Sequence, residues 1–469
     1  MSANRQPTAF LFPAFPVLHQ TFVLWEVLQL RQHGVAIELY SIKRPRARTQ
    51  QPEGAALAKE VRYLPWTLSR AVLGANLKTL LRRPRRYLGV YGKVVREWWR
   101  DRHAGRKWRT TRIAPDAPER LRTIREVLGA RFNRTASLFL LKSLWLVPRA
   151  VYLGQQLQAR GIHRVHAHWA SYPTTVALVI HWLFDMPFSF TAHAYDIYIV
   201  PRLLRSKVNA AEFVVTCAQV NAAHLRSLAG QTSRPRIVVN YHGVSLHRFR
   251  PRACPPPHTM PCVVTCGRLE PYKGHHVLLR ACARLRRPVR CLIVGDGPQR
   301  GRLAQLATQL GIDDRVEFTG PLPQAELVRR YEEADVFVLA SVILGQSGKR
   351  DVIPNVLAEA MAMQLPVVAS DISGIGELIT DGESGRLVRA NDPQALALVL
   401  DELLRDEDQR RRLGMGGYRK VKADFNRDVN IRALAELFLS SAEAPVAPGT
   451  PAPPPQDIGA RVRRLATSK

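Results

Sequence analysis

The amino-acid sequence predicts an α/β protein made of two doubly wound domains, each with a parallel sheet covered by helices. Short apolar strands alternate with helices in two series, one within residues 1–250 and one within residues 262–442. Residues 250–261 contain five prolines and no hydrophobic periodicity, so residues 251–261 are predicted to form a linker. The chain has 469 residues, 46% of them apolar, which is enough for two such cores.

The first series predicts an N-terminal Rossmann-like domain. Apolar runs indicate strands at 8–12, 35–42, 165–169, 188–193, 213–218 and 236–241, and amphipathic runs indicate helices at 21–33 and 174–184. Between about residues 61 and 160 this alternation is interrupted by a basic, helix-rich insertion. We expect the insertion to be an addition to the sheet-forming core.

The second series predicts a C-terminal Rossmann-like domain. Strands are expected at 262–267, 289–295, 316–319, 336–341 and 367–370, with helices at 273–285, 301–310, 324–334 and after Pro354. Helical sequence continues to about residue 442. Residues 443–469 are rich in proline and are expected to be disordered. In two such domains the carboxyl ends of the strands would face a shared cleft, where ligands of this architecture bind.

The composition is strongly basic, with a formal net charge of +31. Residues 61–165 contain 24 Lys or Arg and 5 Asp or Glu, a net charge of +19 within one block. An anionic partner or surface is therefore expected, unless arginine is simply overused throughout the chain. Nucleic-acid binding rests on charge alone, because the sequence has no zinc-finger spacing and no RNA-recognition motif.

Cysteine usage and hydropathy bear on the compartment. The six cysteines include no C-x-x-C pair, which indicates reduced thiols and a cytoplasmic protein. No signal-peptide pattern and no run of 18 apolar residues is present, so no membrane-spanning helix is expected. His163, His166 and His168 are close in sequence, but without supporting Cys or Glu ligands we predict no metal site and no cofactor.

Residues 349–379 contain the main candidate for a ligand site. Asp351 precedes Pro354, which can open a helix, and Glu359 follows on that helix. Two carboxylates on either side of a helix N-terminus could hold the hydroxyl-bearing ends of a ligand with phosphate in the middle. A nucleotide sugar is such a molecule.

Cationic residues are expected on the same side of the sheet. Arg268 follows a predicted strand and Lys273 begins the next predicted helix, a pairing that suits a diphosphate. These cations would also stabilise the negative charge of a departing nucleoside diphosphate. In the first domain, His193 lies at the carboxyl end of its predicted strand.

Several motifs resemble the retaining GT-B glycosyltransferases of the family-4 type, also called glycosyl transferases group 1, in the branch for colanic acid and other exopolysaccharides. In the second half these are GRLEPYKG (267–274), IVGDGP (293–298), VEFTGPL (316–322), YEEADVFVLAS (331–341), DVIPNVLAE (351–359) and LPVVASDISGIGELI (365–379). In the first half they are FPAFPVLHQTFVLWEV (12–27), VHAHWA (165–170), FSFTAHAYDIY (188–198) and NYHGVSLHRF (240–249).

This resemblance implies a GT-B fold and a hexosyltransferase that uses a UDP- or GDP-sugar without a metal ion. Its implied site residues are Arg268 and Lys273 on the diphosphate, Asp351 on the donor sugar, His193 on the transferred sugar and its phosphate, and Gly320, Pro354, Asn355 and Glu359 in the nucleotide-binding part. The anomeric configuration would be kept without a protein nucleophile, the donor phosphate accepting the proton of the acceptor. Val352 stands where relatives commonly have glycine and would restrict the loop at the sugar.

The resemblance also implies an acceptor that is a glycan or a lipid-linked sugar in bacterial exopolysaccharide or glycolipid synthesis. The basic insertion, with Trp98, Trp99, Trp108 and Trp145, would then lie on the anionic inner face of the cytoplasmic membrane. Two alternatives stay open: a nucleotide-sugar epimerase of the same fold, and a basic protein that binds nucleic acid or membranes.

Overall fold

The computed structural model describes residues 6–17, 21–45, 52–101, 136–199, 201–229, 236–251, 260–345 and 348–443. They form two compact units. The first contains residues up to Cys217, Asn221–Asn240 and residues from Ile431; the second contains Ala218–Val220 and Tyr241–Asn430. The predicted tail from 444 onward, Trp108 and most of the predicted linker lie outside the described residues.

The first unit has a seven-stranded parallel sheet with the order β3-β2-β1-β4-β5-β6-β7. Its strands are β1 Thr8–Ala14, β2 Ile37–Lys43, β3 Arg62–Tyr63, β4 Arg164–His168, β5 Phe188–Ala192, β6 Phe213–Thr216 and β7 Arg236–Val239. Its helices are α1 Thr21–Gln32, α2 Pro52–Glu60, α3 Arg70–Arg82, α4 Pro84–Asp101, α5 Ala136–Ala159, α6 Tyr172–Phe184, a π-helical turn at Tyr195–Ile199, α7 Leu204–Ala210 and α8 Gln219–Leu228.

The second unit has a six-stranded parallel sheet with the order β10-β9-β8-β11-β12-β13. Its strands are β8 Cys262–Cys266, β9 Arg290–Val294, β10 Val316–Gly320, β11 Val336–Leu339, β12 Val367–Ser370 and β13 Arg386–Val388. Its helices are α9 His275–Cys282, α10 Arg300–Gln309, α11 Gln324–Glu332, α12 Asn355–Ala362, α13 Ile375–Leu378, α14 Pro393–Arg405 and α15 Glu407–Asp424, and 3₁₀ turns occupy Pro271–Lys273 and Asp313–Arg315.

The last helix, α16 Arg427–Glu443, returns the chain to the first unit. Its residues Ile431, Leu434 and Phe438 are buried in one apolar cluster with Phe10 and Val215 of the first sheet. The sequence predicted a second domain that continues to 442, and the structure differs because this apolar face is covered by the first sheet.

Both sheets change direction next to a central strand, between β1 and β4 in the first unit and between β8 and β11 in the second. Each of these switch points opens a crevice at the carboxyl ends of the strands, which is where open parallel sheets bind ligands. The predicted doubly wound α/β class is therefore confirmed for both units.

None of the described helices combines the length and apolar character that crossing a bilayer requires. The apolar run at 136–154 belongs to α5, which contains Pro148. Arg149 of that helix is buried and donates hydrogen bonds to the carbonyl oxygens of Ile42 and Leu64. Burial lowers the pKa of this guanidinium. The run thus packs within the first unit.

Candidate active site

The loop after β8 is built around a glycine that admits no side chain. Gly274 has a φ of +69°, and a Cβ there would lie 1.7 Å from the carbonyl oxygen of Ala340. The 3₁₀ turn Pro271–Lys273 is therefore held against the end of β11, where the Val342 amide also donates to the Tyr272 carbonyl at 2.8 Å. Lys273 was predicted to begin a helix; it ends this turn instead, and α9 begins at His275.

The turn places Lys273 against Asp351. The Lys273 Nζ lies 2.8 Å from Asp351 Oδ1, and the Ser341 hydroxyl donates to Asp351 Oδ2 at 2.6 Å. Both ionic side chains are nearly buried, 12% and 11% exposed. Burial opposes the charge of Lys273, but Asp351 and Tyr272 outweigh it and hold the pKa of this lysine above its ordinary value. Lys273 is thus charged at neutral pH.

A second ionic group lies beside the first. The Glu270 carboxylate pairs through Oε1 with Arg268 at 3.3 Å and accepts a hydrogen bond at Oε2 from Lys349 Nζ at 3.0 Å. Arg268 is 64% exposed, whereas Glu270 is 17% exposed. The Tyr272 ring contacts both groups, with Lys349 Nζ 4.7 Å and Lys273 Nζ 5.5 Å from its centroid. Three cations and two carboxylates therefore converge around one aromatic ring.

Glu359 lies on the first turns of α12, and only part of the residue is exposed to solvent. The surrounding protein removes water from its carboxyl group, and this burial raises the pKa to about 7. Glu359 in turn contributes to raising the pKa of the Cys266 thiol and of the Tyr331 hydroxyl, after burial in both cases. No side chain of the described residues donates a hydrogen bond to the Glu359 carboxyl, so an external hydroxyl could do so.

The start of α12 agrees in position with the prediction but not in detail. Pro354 is the residue before the helix, with an extended ψ of 125°, and Asn355 is the first helical residue. No side chain caps this N-terminus. Val352 is 7% exposed and lies outside the left-handed region, so its Cβ creates no backbone strain. A Cβ on Gly374 would lie 3.1 Å from the Val352 side chain, which shows how closely the two segments pack.

Gly320 ends β10 with a φ of +73°, and its carbonyl accepts a hydrogen bond from the Gly295 amide at 2.9 Å. This left-handed conformation suits glycine and turns the chain away from the sheet. The described structure therefore puts the two predicted backbone segments, at 320 and 354–355, at carboxyl ends of the same sheet.

In the first unit, His193 directly follows β5. Its ring lies 5.3 Å from that of Trp169 and 5.6 Å from that of Phe22. The histidines at 166 and 168 are core residues: His166 hydrogen bonds to the hydroxyls of Ser189 and Thr191.

Two buried ionisable residues, Asp196 and Lys207, support the backbone around His193. Asp196 is fully buried and accepts hydrogen bonds from the backbone amides of His193 and Ala170, one on each oxygen. Burial raises the pKa of Asp196 to about 7, against the lowering effect of these amides and of Lys207. The Lys207 Nζ, also buried, donates to three carbonyls, those of Ala170, Ser171 and Arg202, at 2.7–3.0 Å.

The structure thus brings together four predicted residues, Arg268, Lys273, Asp351 and Glu359, around the end of β8 and the start of α12. Five further residues were not predicted from the sequence: Glu270, Lys349, Ser341, Asp196 and Lys207. A signal existed for Glu270, an acid between two predicted phosphate ligands, and for Lys349, two residues before Asp351. Nothing local indicated that Lys207 would be buried.

Residues 250–420 match the family model described as Glycosyl transferases group 1. WcaL from Escherichia coli K12, named as a colanic acid biosynthesis glycosyltransferase, is 39% identical over 209 residues, 44% of this chain and 51% of its own. The amylovoran biosynthesis glycosyltransferase AmsK of Erwinia amylovora is 34% identical over 206 residues, 43% of this chain and 50% of its own. The chain spans about half the length of these curated relatives.

Solved structures identify the fold. Anabaena HepE in complex with UDP superimposes with a TM-score of 0.62 at 16% identity, over 92% of this chain and 100% of that chain. A sucrose-phosphate synthase from Thermosynechococcus elongatus gives 0.62 at 20% identity, over 93% and 99%. The fold is that of the GT-B glycosyltransferases. The resemblance to group 1 glycosyltransferases of exopolysaccharide synthesis is likewise confirmed.

Proposed function

We propose that the protein is a retaining glycosyltransferase that moves a sugar from a UDP- or GDP-sugar to a glycan acceptor. The observation that carries this proposal is the group of Arg268, Lys273 and Asp351 at the carboxyl end of β8, on a segment that matches group 1 glycosyl transferases. HepE, which has the same fold, was crystallised with UDP-glucose, and this supports a nucleotide-sugar donor here.

Each residue then has a defined task. Arg268 and Lys273 bind the diphosphate and neutralise the charge that develops when the bond between the sugar and the phosphate breaks. Glu359 accepts hydrogen bonds from the ribose hydroxyls, and the backbone at Gly320, Pro354 and Asn355 contributes to nucleotide binding. His193 acts on the transferred sugar.

Asp351 has two tasks in this proposal. Its Oδ1 holds Lys273 in position, and the carboxylate accepts a hydrogen bond from a donor-sugar hydroxyl. Retention needs the acceptor to attack from the side that the phosphate leaves, so the departing phosphate oxygen takes the acceptor proton. No nucleophilic side chain is required.

The test is transfer of label from nucleotide sugars, with and without an extract that contains lipid-linked and free glycans. We expect product only with acceptor, and a Lys273→Ala variant at least about 100-fold slower, since two charge-assisted bonds of roughly 1.5–3 kcal/mol each are at stake. Sugar interconversion without acceptor would instead identify an epimerase. Nuclear magnetic resonance of the product checks retention.

We further propose that the enzyme works on a lipid-linked acceptor at the anionic inner face of the cytoplasmic membrane. The evidence for a membrane-facing surface comes from helices α3 and α4, which carry exposed apolar side chains. Leu73, Leu77 and Leu81, spaced four apart on α3, are 51%, 59% and 74% exposed. On α4, Leu88 and Trp99 are 62% and 55% exposed.

Basic side chains surround these apolar residues. Exposed arginines and a lysine alternate with the leucines and continue onto the second helix: Arg70, Lys78, Arg82, Arg83, Arg85, Arg86, Arg96 and Arg100. An exposed apolar stripe with a cationic border matches an anionic lipid surface, where each well-placed Lys or Arg contributes about 1 kcal/mol. Three exposed leucines in one row on a helix form an apolar patch of the kind that marks an interaction surface.

Flotation with phosphatidylglycerol-containing vesicles tests this surface. We expect the protein to float at low salt, and a Leu77→Glu, Leu81→Glu double variant to lose at least about 90% of the floated fraction. Leu398→Glu is the matched control, because Leu398 is also 60% exposed but lies on α14 of the second unit. Equal flotation of all three proteins, or no flotation of the wild type, would refute the membrane proposal and leave the transfer reaction unaffected.

A further inference from the structure

Lys349 is the first residue of the candidate stretch 349–379 and has no role in the assignments above, yet its side chain belongs to the candidate site. It precedes Asp351 by two residues, and its backbone carbonyl accepts a hydrogen bond from the Leu344 amide at 3.0 Å. Its side chain is 40% exposed, so the ammonium can reach both protein and solvent. Its Nζ contacts the Glu270 carboxylate and lies over the Tyr272 ring, as described above.

These contacts place Lys349 beside both predicted diphosphate ligands. Arg268 and Lys349 pair with opposite oxygens of one carboxylate, Glu270, so the two cations are close neighbours. Lys273 and Lys349 contact the same tyrosine ring. An anion bound by Arg268 and Lys273 would therefore lie within reach of Lys349.

The local charge balance indicates what Lys349 contributes to the site. Without it, the positive charges of Arg268 and Lys273 are matched by Glu270 and Asp351, which leaves no net charge for a ligand. With it, the group carries one surplus positive charge at the position where a diphosphate is expected. Unlike charges attract at close range even in a partly wet site.

From this geometry we infer that Lys349 is a third cationic ligand of the donor diphosphate, positioned by Glu270 and Tyr272. The inference rests on the proposed function, since it assigns a further residue to the same donor site. Lys349 stabilises the nucleoside diphosphate both before and after the sugar leaves. Without a ligand, Lys349 also pairs with Oε2 of Glu270, so Arg268 is held only by Oε1. Arg268 can therefore leave this carboxylate more easily when a diphosphate binds.

The experiment measures binding of UDP, GDP, uridine and guanosine by calorimetry to the wild type and to Lys349→Met. For whichever diphosphate binds the wild type more tightly, we expect the Kd of Lys349→Met to rise about 5- to 30-fold, with the nucleoside affinity unchanged. Lys349→Arg should recover most of the loss. Lys422→Met is the control, since Lys422 is an exposed lysine of α15 in the same unit.

Glu270→Gln and the double variant separate a direct ligand from an ion pair that only supports the loop. If Lys349 binds phosphate, removing the neighbouring carboxylate tightens diphosphate binding about 2- to 5-fold, and the double variant still loses the contribution of Lys349. If Lys349 only keeps Glu270 away from Arg268, the double variant binds diphosphate as tightly as Glu270→Gln alone and the inference is wrong. Thermal unfolding of each variant checks that it is folded.

The outcomes also separate this inference from the proposed function. A wild type that binds neither UDP nor GDP, nor any other common nucleoside diphosphate, contradicts the proposed function itself. A wild type that binds one of them, together with a Lys349→Met variant of equal affinity, overturns the role of Lys349 alone.

Discussion

Glu359 gives the sharpest prediction about pH, because the structure raises the pKa of its carboxyl from 4.5 to about 7 by burial. The folded protein holds this proton more tightly than the unfolded chain does. Stability therefore falls as the pH rises from about 4.5 through about 7, the interval over which the unfolded chain is ionised and the folded site is not. At 1.36 kcal/mol per pKa unit, Glu359 should cost about 2.5 kcal/mol more at pH 8 than at pH 5.

Glu359→Gln removes this cost. The variant should gain about 2.5 kcal/mol over the wild type between pH 5 and pH 8, which corresponds to about 5–10 °C in Tm for a unit of this size. Paired thermal and urea unfolding at both pH values measures the difference, with the exposed Glu383→Gln as control. A stability gap between variant and wild type that does not change with pH would refute the reasoning.

The same carboxylate should link donor binding to protons. The ionised carboxylate accepts hydrogen bonds from ribose hydroxyls more strongly than the protonated carboxyl does. A bound nucleoside diphosphate should therefore lower the pKa of Glu359 and release up to about half a proton at pH 7. Calorimetry in buffers with different ionisation enthalpies counts that proton. Glu359→Gln should release none and should bind the nucleotide more weakly at pH 8, even though it is more stable there.

Three further predictions concern the supports of the site. Asp351→Asn leaves Lys273 nearly buried without its anion and should cost about 3–5 kcal/mol in urea unfolding; a loss under about 1 kcal/mol would contradict the described pair. Gly274→Ala should cost more than about 2 kcal/mol, since φ is +69° and the Cβ meets Ala340; a Tm equal to that of the wild type would show the turn to be placed wrongly. Asp196→Asn puts an amide N–H against a backbone N–H and should cost about 1–3 kcal/mol, and near-wild-type stability would mean that the two amides it binds are satisfied otherwise.

The alternation of strands and helices could be predicted because each sheet is buried on both faces, which leaves continuous apolar runs in the sequence. Both sheets, their parallel character and most element positions follow from this. The strand β13 was missed, since Arg386–Val388 is only three residues long and its pairing with β12 decides its conformation. The return of α16 to the first unit was also missed, because the partner of an apolar helix face is a property of the tertiary structure.

The candidate site shows a similar division. Arg268, Lys273 and Glu359 could be predicted because short sequence patterns after strands place charges at the ends of a parallel sheet. Which charge would pair with which could not, since Glu270 and Lys349 are 79 positions apart and meet only in the folded unit. The same holds for Asp351, which was predicted as a ligand of the sugar and also holds Lys273 in the structure.

These pairings change how the predicted diphosphate site should work. A pair of unpaired cations would repel each other before the ligand arrives and would bind any polyanion strongly. Here Arg268 and Lys273 each already pair with a carboxylate of their own unit, so a ligand must offer better geometry than Glu270 or Asp351 rather than charge alone.

The two cations differ in how easily they can bind a ligand. Exposed Arg268 can leave its partner readily, whereas nearly buried Lys273 cannot leave Asp351 without a large cost. A diphosphate should therefore recruit Arg268 by displacement and Lys273 by addition, as a second partner of an ammonium that keeps its aspartate. Lys273 can do so because an ammonium has three donors. It follows that salt should weaken diphosphate binding chiefly through Arg268, the one member of this pair open to solvent.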